Sequence, residues 1–450
     1  MLSIVRAGRR CAIMLVAVVF LQADTIAAPM LPDSLPATSG PLTLERALTL
    51  ASRYGLTLRA IGLRAQAARA RVADAGRRPN PTLNATEENF GGQLGGTRRE
   101  ATLAISQVFE IGGDRSARAG VAEAESRLAS AEASTVGREG LAQVADRFIA
   151  AWSLQTRLGR LGEGQALTEQ AVRAATERFQ AGASPRLDIL RAQSRATTQA
   201  VEWQRAESDL NVARQELALS WGAVSATFDS LVAPEHLVPG DTARSVRRLA
   251  EHPEHPDHPD HPDHPEHPEH PEHPELTRAS AAEALASSRV RAATAARKPD
   301  LTLSGGVRRL EEVRGTAFLV GAEVPLPLWS RGNNGVVAAH RELEAAAAER
   351  RATELRLQVA FAAATERVKT AAAIYDTLRL RVRPDREQIV DELLHGYRTG
   401  RSNYLDLVAE QSNLLETELA LIDAQADLWR AQLRLDFLAG IGPLTPKEGR

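Results

Sequence analysis

Residues 397–406 read Tyr-Arg-Thr-Gly-Arg-Ser-Asn-Tyr-Leu-Asp, a glycine-centred turn between two long runs almost free of helix breakers. Those runs cover 333–398 and 402–439, and Pro384 is their one proline. The same kind of turn stands at 179–188, Phe-Gln-Ala-Gly-Ala-Ser-Pro-Arg-Leu-Asp, again between alanine-rich runs. Glycine at a turn frees the backbone, and unbroken runs of good helix formers predict long helices on either side. Two copies of one hairpin tip imply a chain built twice over.

The duplication holds register. Gly182 and Gly400 are 218 positions apart, as are Asp188 and Asp406, Gln193 and Gln411, and Gly222 and Gly440. Pro79 and Pro299 are 220 apart, so the offset drifts by two residues. The first parts of the two halves align once residues 252–272 are removed. Leu249-Ala250-Glu251 joined to His273-Pro274-Glu275-Leu276-Thr277 then lies gap-free on 50–57, and the match runs on to Leu303 against Leu83. The removed stretch is the core of a His-Pro-acid repeat at 251–275, which therefore reads as an insertion. Proline at every third position excludes helix and sheet interior there and predicts an extended, polyproline-like tract.

Length, charge and targeting set the bounds. The chain has 450 residues, 55 basic and 57 acidic, and only 4% aromatics. Near-neutral charge offers no nucleic-acid footprint. Residues 1–28 read as a secretory signal: Arg6, Arg9 and Arg10, then apolar residues 12–21, then small residues at 25–28. Cys11, the one cysteine, precedes the apolar run, so the exported chain is expected to carry neither disulfide nor lipidated cysteine. No later segment offers the ~18 uninterrupted apolar residues that a spanning helix needs.

In order, the organisation is as follows. Residues 29–41 form a proline-rich leader. The first repeat, 42–222, has a helix capped by Thr43 and stopped before Pro79, a β-hairpin at 82–109, and a long helical hairpin at 114–221 with Pro185 in a first helical turn. A connector covers 223–250, and the tract 251–275. The second repeat, 276–440, has a helix, a β-hairpin at 300–324 turning near Gly315, and a helical hairpin at 333–439. A tail covers 441–450. Leu407, Leu414, Leu421, Leu428 and Leu435 recur every seven residues. A second seam, Leu405, Val408, Leu415, Leu419, Ile422, Trp429 and Leu433, runs beside it. Two adjacent seams let one helix pack on two neighbours in a left-handed superhelix.

Helices of ~65 residues would be ~100 Å long, far longer than a compact core requires. A bundle scaffold would explain the helices alone. The hairpins point further, because each strand has about nine to eleven residues, the length of a tilted membrane-spanning strand. Phe90, Phe109, Phe318 and Trp329 fall at or near strand ends, where interfacial aromatics belong. Four strands cannot close a barrel and open edges are not tolerated in lipid, so closure needs several chains. Three would supply twelve strands.

This order of elements, performed twice over about 42–440, resembles the TolC family of outer-membrane efflux ducts. Arg78-Pro79-Asn80-Pro81-Thr82-Leu83, Lys298-Pro299-Asp300-Leu301-Thr302-Leu303 and Val324-Pro325-Leu326-Pro327-Leu328-Trp329 look most like its cobalt–zinc–cadmium resistance branch. The resemblance implies a mainly α fold with a small β part: a helical tunnel in the periplasm and a twelve-stranded barrel in outer-membrane lipid, shared by a homotrimer. It also implies a periplasmic adaptor, an inner-membrane pump of the resistance–nodulation–division type, and no cofactor. Gly182, Ala183, Ser184, Gly400, Arg401 and Ser402 would be the adaptor-docking tips. Asp188 and Asp406 would line the periplasmic aperture, although Ala409 stands where some members carry a second acid. A helix N-terminal aspartate also has a purely local role through the helix dipole.

No phosphate loop, nucleophile elbow or metalloprotease helix is present, so an enzyme is not expected. The tract offers His252, His255, His258, His261, His264, His267, His270 and His273, and imidazole suits Zn²⁺, Co²⁺ and Ni²⁺. On a polyproline helix they would stand ~9 Å apart, too wide for neighbours to share one tetrahedral ion without bending. The tract is either a neutral expansion or a weak metal buffer. Two other functions compete with the duct for metals: a periplasmic metal-sequestering protein using the tract, and a duct for secreted proteins.

Overall fold

A computed structural model describes residues 39–88, 99–182, 184–234, 273–311, 314–329, 332–399 and 401–439. The expected signal, most of the leader, Phe90, Ala183, Gly400, seven of the eight tract histidines and the tail lie outside the described residues.

The chain opens with β1 (Pro41–Leu42) and α1 (Leu44–Tyr54), whose N-cap Thr43 accepts at Oγ1 from the Arg46 amide, 3.3 Å away. α2 (Leu56–Ala75) follows after a break at Gly55. One helix to Arg77 was expected here, and two form instead. Gly55 takes an extended conformation (φ −60°, ψ 115°), and a Cβ on it would meet Ala51 O at 2.4 Å and Ser220 O at 3.1 Å. The bend seats α1 on the turn that ends the first helical hairpin.

β2 (Thr82–Glu88) and β3 (Glu100–Phe109) form the first strand pair. α3 (Asp114–Gln180) then runs unbroken for 67 residues, ~100 Å at 1.5 Å per residue, and α4 (Arg186–Leu219) returns. Pro185 is the extended N-cap of α4 (φ −75°, ψ 151°) rather than a residue of its first turn. β4 (Ser230–Leu231) pairs in parallel with β1, which draws Pro41 out of the expected leader and into a small sheet.

α5 (Pro274–Ala295) starts the second half with Pro274 at its first position, where a missing N–H costs little. The last residues assigned to the tract thus belong to a helix and its cap. β5 (Leu301–Leu310) and β6 (Gly315–Glu323) are the second strand pair. Gly315 opens β6, and the chain reverses before it at Arg314, which adopts φ 51°. α6 (Asn333–Thr377) passes through a π-helical segment, Leu378–Val382, into α7 (Arg383–Arg398). The widened turn lies directly before Pro384, whose ring would clash with the carbonyl four residues back in a regular α-helix. α8 (Tyr404–Leu438) completes the hairpin.

The two leucine seams go to different neighbours. Leu428 and Leu421 pack with Tyr375 and Ala371 of α6, and Leu435 packs with Ala364 and Val368 of the same helix. Ile422 and Trp429 join Val144, Phe148 and Trp152 of α3. Leu405 is the exception, 49% exposed beside the tip. The largest buried cluster gathers α1, the middle of α3, the end of α4 with Trp221, Phe228 from the following loop, and α8. Full burial of a side chain such as Phe148 or Leu217 is worth about 1.5–3 kcal/mol. Gln155 reinforces this level, donating to the Leu231 carbonyl and accepting from its amide, both at 2.9 Å.

Candidate functional site

The chain has two working ends, a sheet and a pair of helical tips. The sheet has the order β2-β3-β5-β6, antiparallel throughout, which among the described residues leaves one side of β2 and one side of β6 unpaired. Strand alternation sorts its side chains. One face carries the cross-strand rows Ala85–Leu103–Val307–Phe318 and Leu83–Ile105–Gly305–Val320. Phe318 is 84% and Val320 93% exposed. The other face carries Ser106 beside Ser304, and Thr86, Thr102 and Arg308 in one row. Arg308 donates to Thr102 Oγ1 at 3.0 Å and to Glu100 Oε2 at 3.3 Å. A sheet apolar outward and polar inward is the pattern of a lipid-facing barrel wall with an aqueous lumen. Phe109 does end β3, whereas Phe318 is the fourth residue of β6, mid-strand rather than at an end.

Arg118 fastens the sheet to the helices. It donates to the carbonyls of Ala75 (2.9 Å) and Arg77 (3.1 Å) and pairs with Glu110 at 2.5 Å, tying the ends of α2 and β3 to the start of α3. Nothing in the spacing of the sequence had marked it.

At the first tip, Gly182 takes the left-handed conformation (φ 73°) and its amide donates to Phe179 O at 2.9 Å, closing α3. Asp188 stands in the first turn of α4, 3.8 Å from Arg191, with its side chain 20% exposed. At the second tip the amides of Arg401 and Ser402 both donate to Gly396 O, at 2.7 and 3.1 Å. A Cβ on Gly396 would lie 2.1 Å from Ser402 Oγ and 3.1 Å from Ser402 Cβ, so a larger residue here would force the Ser402 side chain to move. Asn403 caps α8: its Oδ1 accepts from the Asp406 amide at 2.8 Å, and its Nδ2 donates to Asp406 Oδ2 at 2.7 Å. Asp406 is thus exposed but locally engaged, and Arg401 is exposed beside it. Asn403 lay within the stretch read as a turn and Gly396 one residue before it, in the run read as helix, and neither was singled out.

The two tips touch. The Arg178 guanidinium of α3 lies 4.7 Å over the Tyr397 ring of α7, and that ring is 6.0 Å from Tyr404 of α8. Burial raises the Tyr404 hydroxyl above the usual phenol range, Tyr397 and Asp188 add to the rise, and Arg195 opposes it. Residues of both hairpins therefore meet around Tyr404. One turn beyond Asp406, Glu410 accepts from Arg386 of α7 at 2.5 Å and from Asn413 at 2.9 Å. The Arg386 hydrogen bond holds this carboxyl below the usual range.

His273, by contrast, is a structural group. Its Nδ1 accepts from the Glu275 amide at 3.2 Å as the cap of α5, and its ring meets Phe437 edge-on at 5.8 Å. Its Nδ1 is therefore occupied. The other tract histidines lie outside the described residues, and among the described residues no cluster of His, Cys, Asp and Glu could hold a metal ion. No described helix is long and apolar enough to cross a membrane.

A two-faced sheet with open edges, set on paired long helical hairpins, is duplicated in the sequence itself. The family profile described as outer membrane efflux protein matches residues 50–223 and 271–441. The chain belongs to this family of outer membrane efflux proteins. The interval between the two matched blocks contains the connector and most of the His-Pro-acid tract. The efflux protein is 28% identical over 426 residues to the cobalt-zinc-cadmium resistance protein CzcC of Cupriavidus metallidurans, covering 93% of this chain and 94% of that one. It is 28% identical over 345 residues to the nickel and cobalt resistance protein CnrC of the same species, covering 74% and 73%. Its fold matches the outer-membrane channel OprN with a TM-score of 0.71 at 20% identity, over 90% of this chain and 91% of that one.

Proposed function

We propose that three copies of this chain form the outer-membrane duct of a tripartite heavy-metal export system. A periplasmic adaptor and an inner-membrane pump of the resistance–nodulation–division type would complete it. The observation that carries the reading is the four-stranded sheet, apolar on one face, polar on the other, and open at both edges. An open edge in lipid leaves backbone groups unsatisfied, so β2 of one copy must meet β6 of the next, and three copies close twelve strands. Transport of cobalt, zinc or cadmium is supported by the names of the relatives, and it favours the metal duct over a duct for secreted proteins.

The paired tips would face the periplasm. Gly182, Ala183, Ser184, Gly400, Arg401 and Ser402 would meet the adaptor, and Asp188 and Asp406 would line the aperture, where converging carboxylates favour cations. Residues 252–272 we read as an expansion that the duct tolerates. Equal Zn²⁺ binding heats with and without these residues are the expected result, and a loss of heat on deletion would favour a metal buffer.

The decisive experiment pairs membrane fractionation with metal accumulation in cells lacking the gene. The duct predicts recovery in the outer membrane and raised cellular cobalt, zinc or cadmium, reversed by the restored chain. Recovery in the soluble periplasm would support the metal-sequestering alternative instead.

A further inference from the structure

The two repeats differ in what covers their long helices. Gly113 and Gly332, 219 positions apart, are the left-handed N-caps of α3 and α6, so this offset matches the two helices residue for residue up to Thr377. α8 matches α4 at an offset of 218, and α5 matches α2 at 220. On α3, Val144, Phe148 and Ala151 are buried in one core cluster with Ile422, Ala426 and Trp429 of α8. Their counterparts on α6, Ala363, Arg367 and Thr370, line an open groove of about 790 Å³ between α6 and α8 and are exposed. The counterparts of the three α8 residues, Gln204, Ser208 and Asn211 of α4, are exposed as well. Similarly, α5 packs on both α3 and α6, whereas α2 packs mainly on α3. The socket and the face that fills it each occur twice, and the second set lies uncovered within one chain.

Two ion pairs carry the register. Across the seam inside the chain, Arg157 of α3 meets Asp423 of α8 at 3.6 Å, and Arg289 of α5 meets Glu125 of α3 at 3.8 Å. The repeat turns the first pair into Asp376 with Arg205, its charges exchanged, and the second into Glu344 with Arg69, unchanged in type. Arg205 is exposed and makes no ion pair among the described residues. Asp376 faces Arg379 of its own helix at 4.0 Å. Arg69 donates through Nη2 to Ser130 Oγ at 3.3 Å and Glu344 accepts from Arg341 at 2.6 Å, and both groups have hydrogen-bonding capacity left. Opposite charges thus stand at both places that the repeat assigns, on two different pairs of helices.

We propose that α4 and α2 of a second copy of this chain seat on α6 in the register that α8 and α5 take on α3. Arg205 and Arg69 of one copy then meet Asp376 and Glu344 of the next, and Gln204, Ser208 and Asn211 enter the groove beside Arg367 and Thr370. The proposal rests on the three-copy duct reading and names the residues of its seam. That seam is polar where the matching seam inside the chain is apolar. A face that stands in water until copies meet has to be so, because a large exposed apolar patch invites aggregation. Complementary charges then select the partner and its register.

Cys11, the one cysteine, lies in the expected signal, so introduced thiols report alone in the exported chain. The full-length exported protein is extracted in detergent as R205C/D376C and, independently, as R69C/E344C. Each is treated with a short bismaleimide and run on a denaturing gel. Both double variants are expected to give covalent dimers and trimers, and each single-cysteine variant is expected to stay monomeric. R205C/V359C controls the register, because Val359 is 71% exposed and lies ~25 Å along α6 from Asp376. It too should stay monomeric. Linkage of R205C/V359C in place of R205C/D376C would overturn the register. The mass of the wild-type particle, read by light scattering, separates the remaining failures. A trimer in which neither designed pair links would overturn the seam and leave the duct standing. A monomer would overturn the duct reading together with the seam.

Discussion

The guanidinium of Arg178 and the ring of Tyr397, 4.7 Å apart, join the tips of two helical hairpins that are 218 residues out of step in the sequence. Each tip could otherwise move as a unit about its own turn. A cation–π contact at an exposed site is worth about 0.5–1 kcal/mol, a factor of roughly 2–5 in an equilibrium. R178A and Y397A should each raise single-channel open probability or conductance by up to that factor. Y397F keeps the ring and should behave as wild type, while R178K keeps the charge but loses the planar stack and should fall between. Unchanged conductance in both alanine variants would show that the contact holds nothing.

Asp406 serves its own helix as well as the proposed aperture. Because Asn403 Oδ1 still accepts from the backbone amide of residue 406, D406A should cost only about 0.5–1 kcal/mol through the helix dipole. D406A and D406N should both lower cation preference, read as a smaller reversal potential in a salt gradient. D188N should do the same more weakly, since Asp188 is already paired with Arg191. If N403A lowered the melting temperature while D406N left the reversal potential unmoved, the acid would be a helix-end residue and nothing more.

Trp152 and Trp429, with ring centroids 4.4 Å apart, lock α8 onto α3 in the largest core cluster. Trp429 is 2% exposed, so W429A should leave a large cavity and cost about 3–5 kcal/mol. The measurement is thermal unfolding of the detergent-solubilised protein. W429F fills most of the space and should recover more than half of the loss.

What could be read from the residues alone followed from patterns that repeat or persist. The 67-residue α3 shows as an absence of breakers, the two leucine seams as fixed spacings, and the strands as short alternating runs between glycine and proline. The features that escaped depend on partners distant in sequence. At the break, a Cβ on Gly55 would crowd the Ser220 carbonyl as well as that of Ala51, and no local signal names Ser220. The repeat register did hold a hint, since α5 starts at Pro274, the counterpart of Tyr54, next to the break. Arg118 gathers three chain segments through long-range backbone acceptors, and the pairing of β1 with β4 links positions about 190 apart. At the tips, the glycines that turn the chain were visible, whereas Arg178 over Tyr397 required both hairpins in place.

His273 gives a pH signature that separates a helix cap from a metal ligand. Burial lowers its proton affinity in the folded chain; Arg138 and Arg434 act in the same direction and Glu275 opposes them. In the unfolded chain the imidazole takes up its proton near pH ~6.5. Below that pH the unfolded state binds more protons than the native state, so stability rises with pH through this window. The contribution is complete above ~6.5 and is lost as the pH falls toward the lowered folded value. Protonation also removes the Nδ1 lone pair that accepts from the Glu275 amide. H273N supplies a good N-cap without a titrating group. Its melting temperature should change less than that of wild type as the pH is lowered from neutral to about 5, with the two converging above pH 7. Parallel pH profiles would show that His273 does not cap α5 in the neutral form.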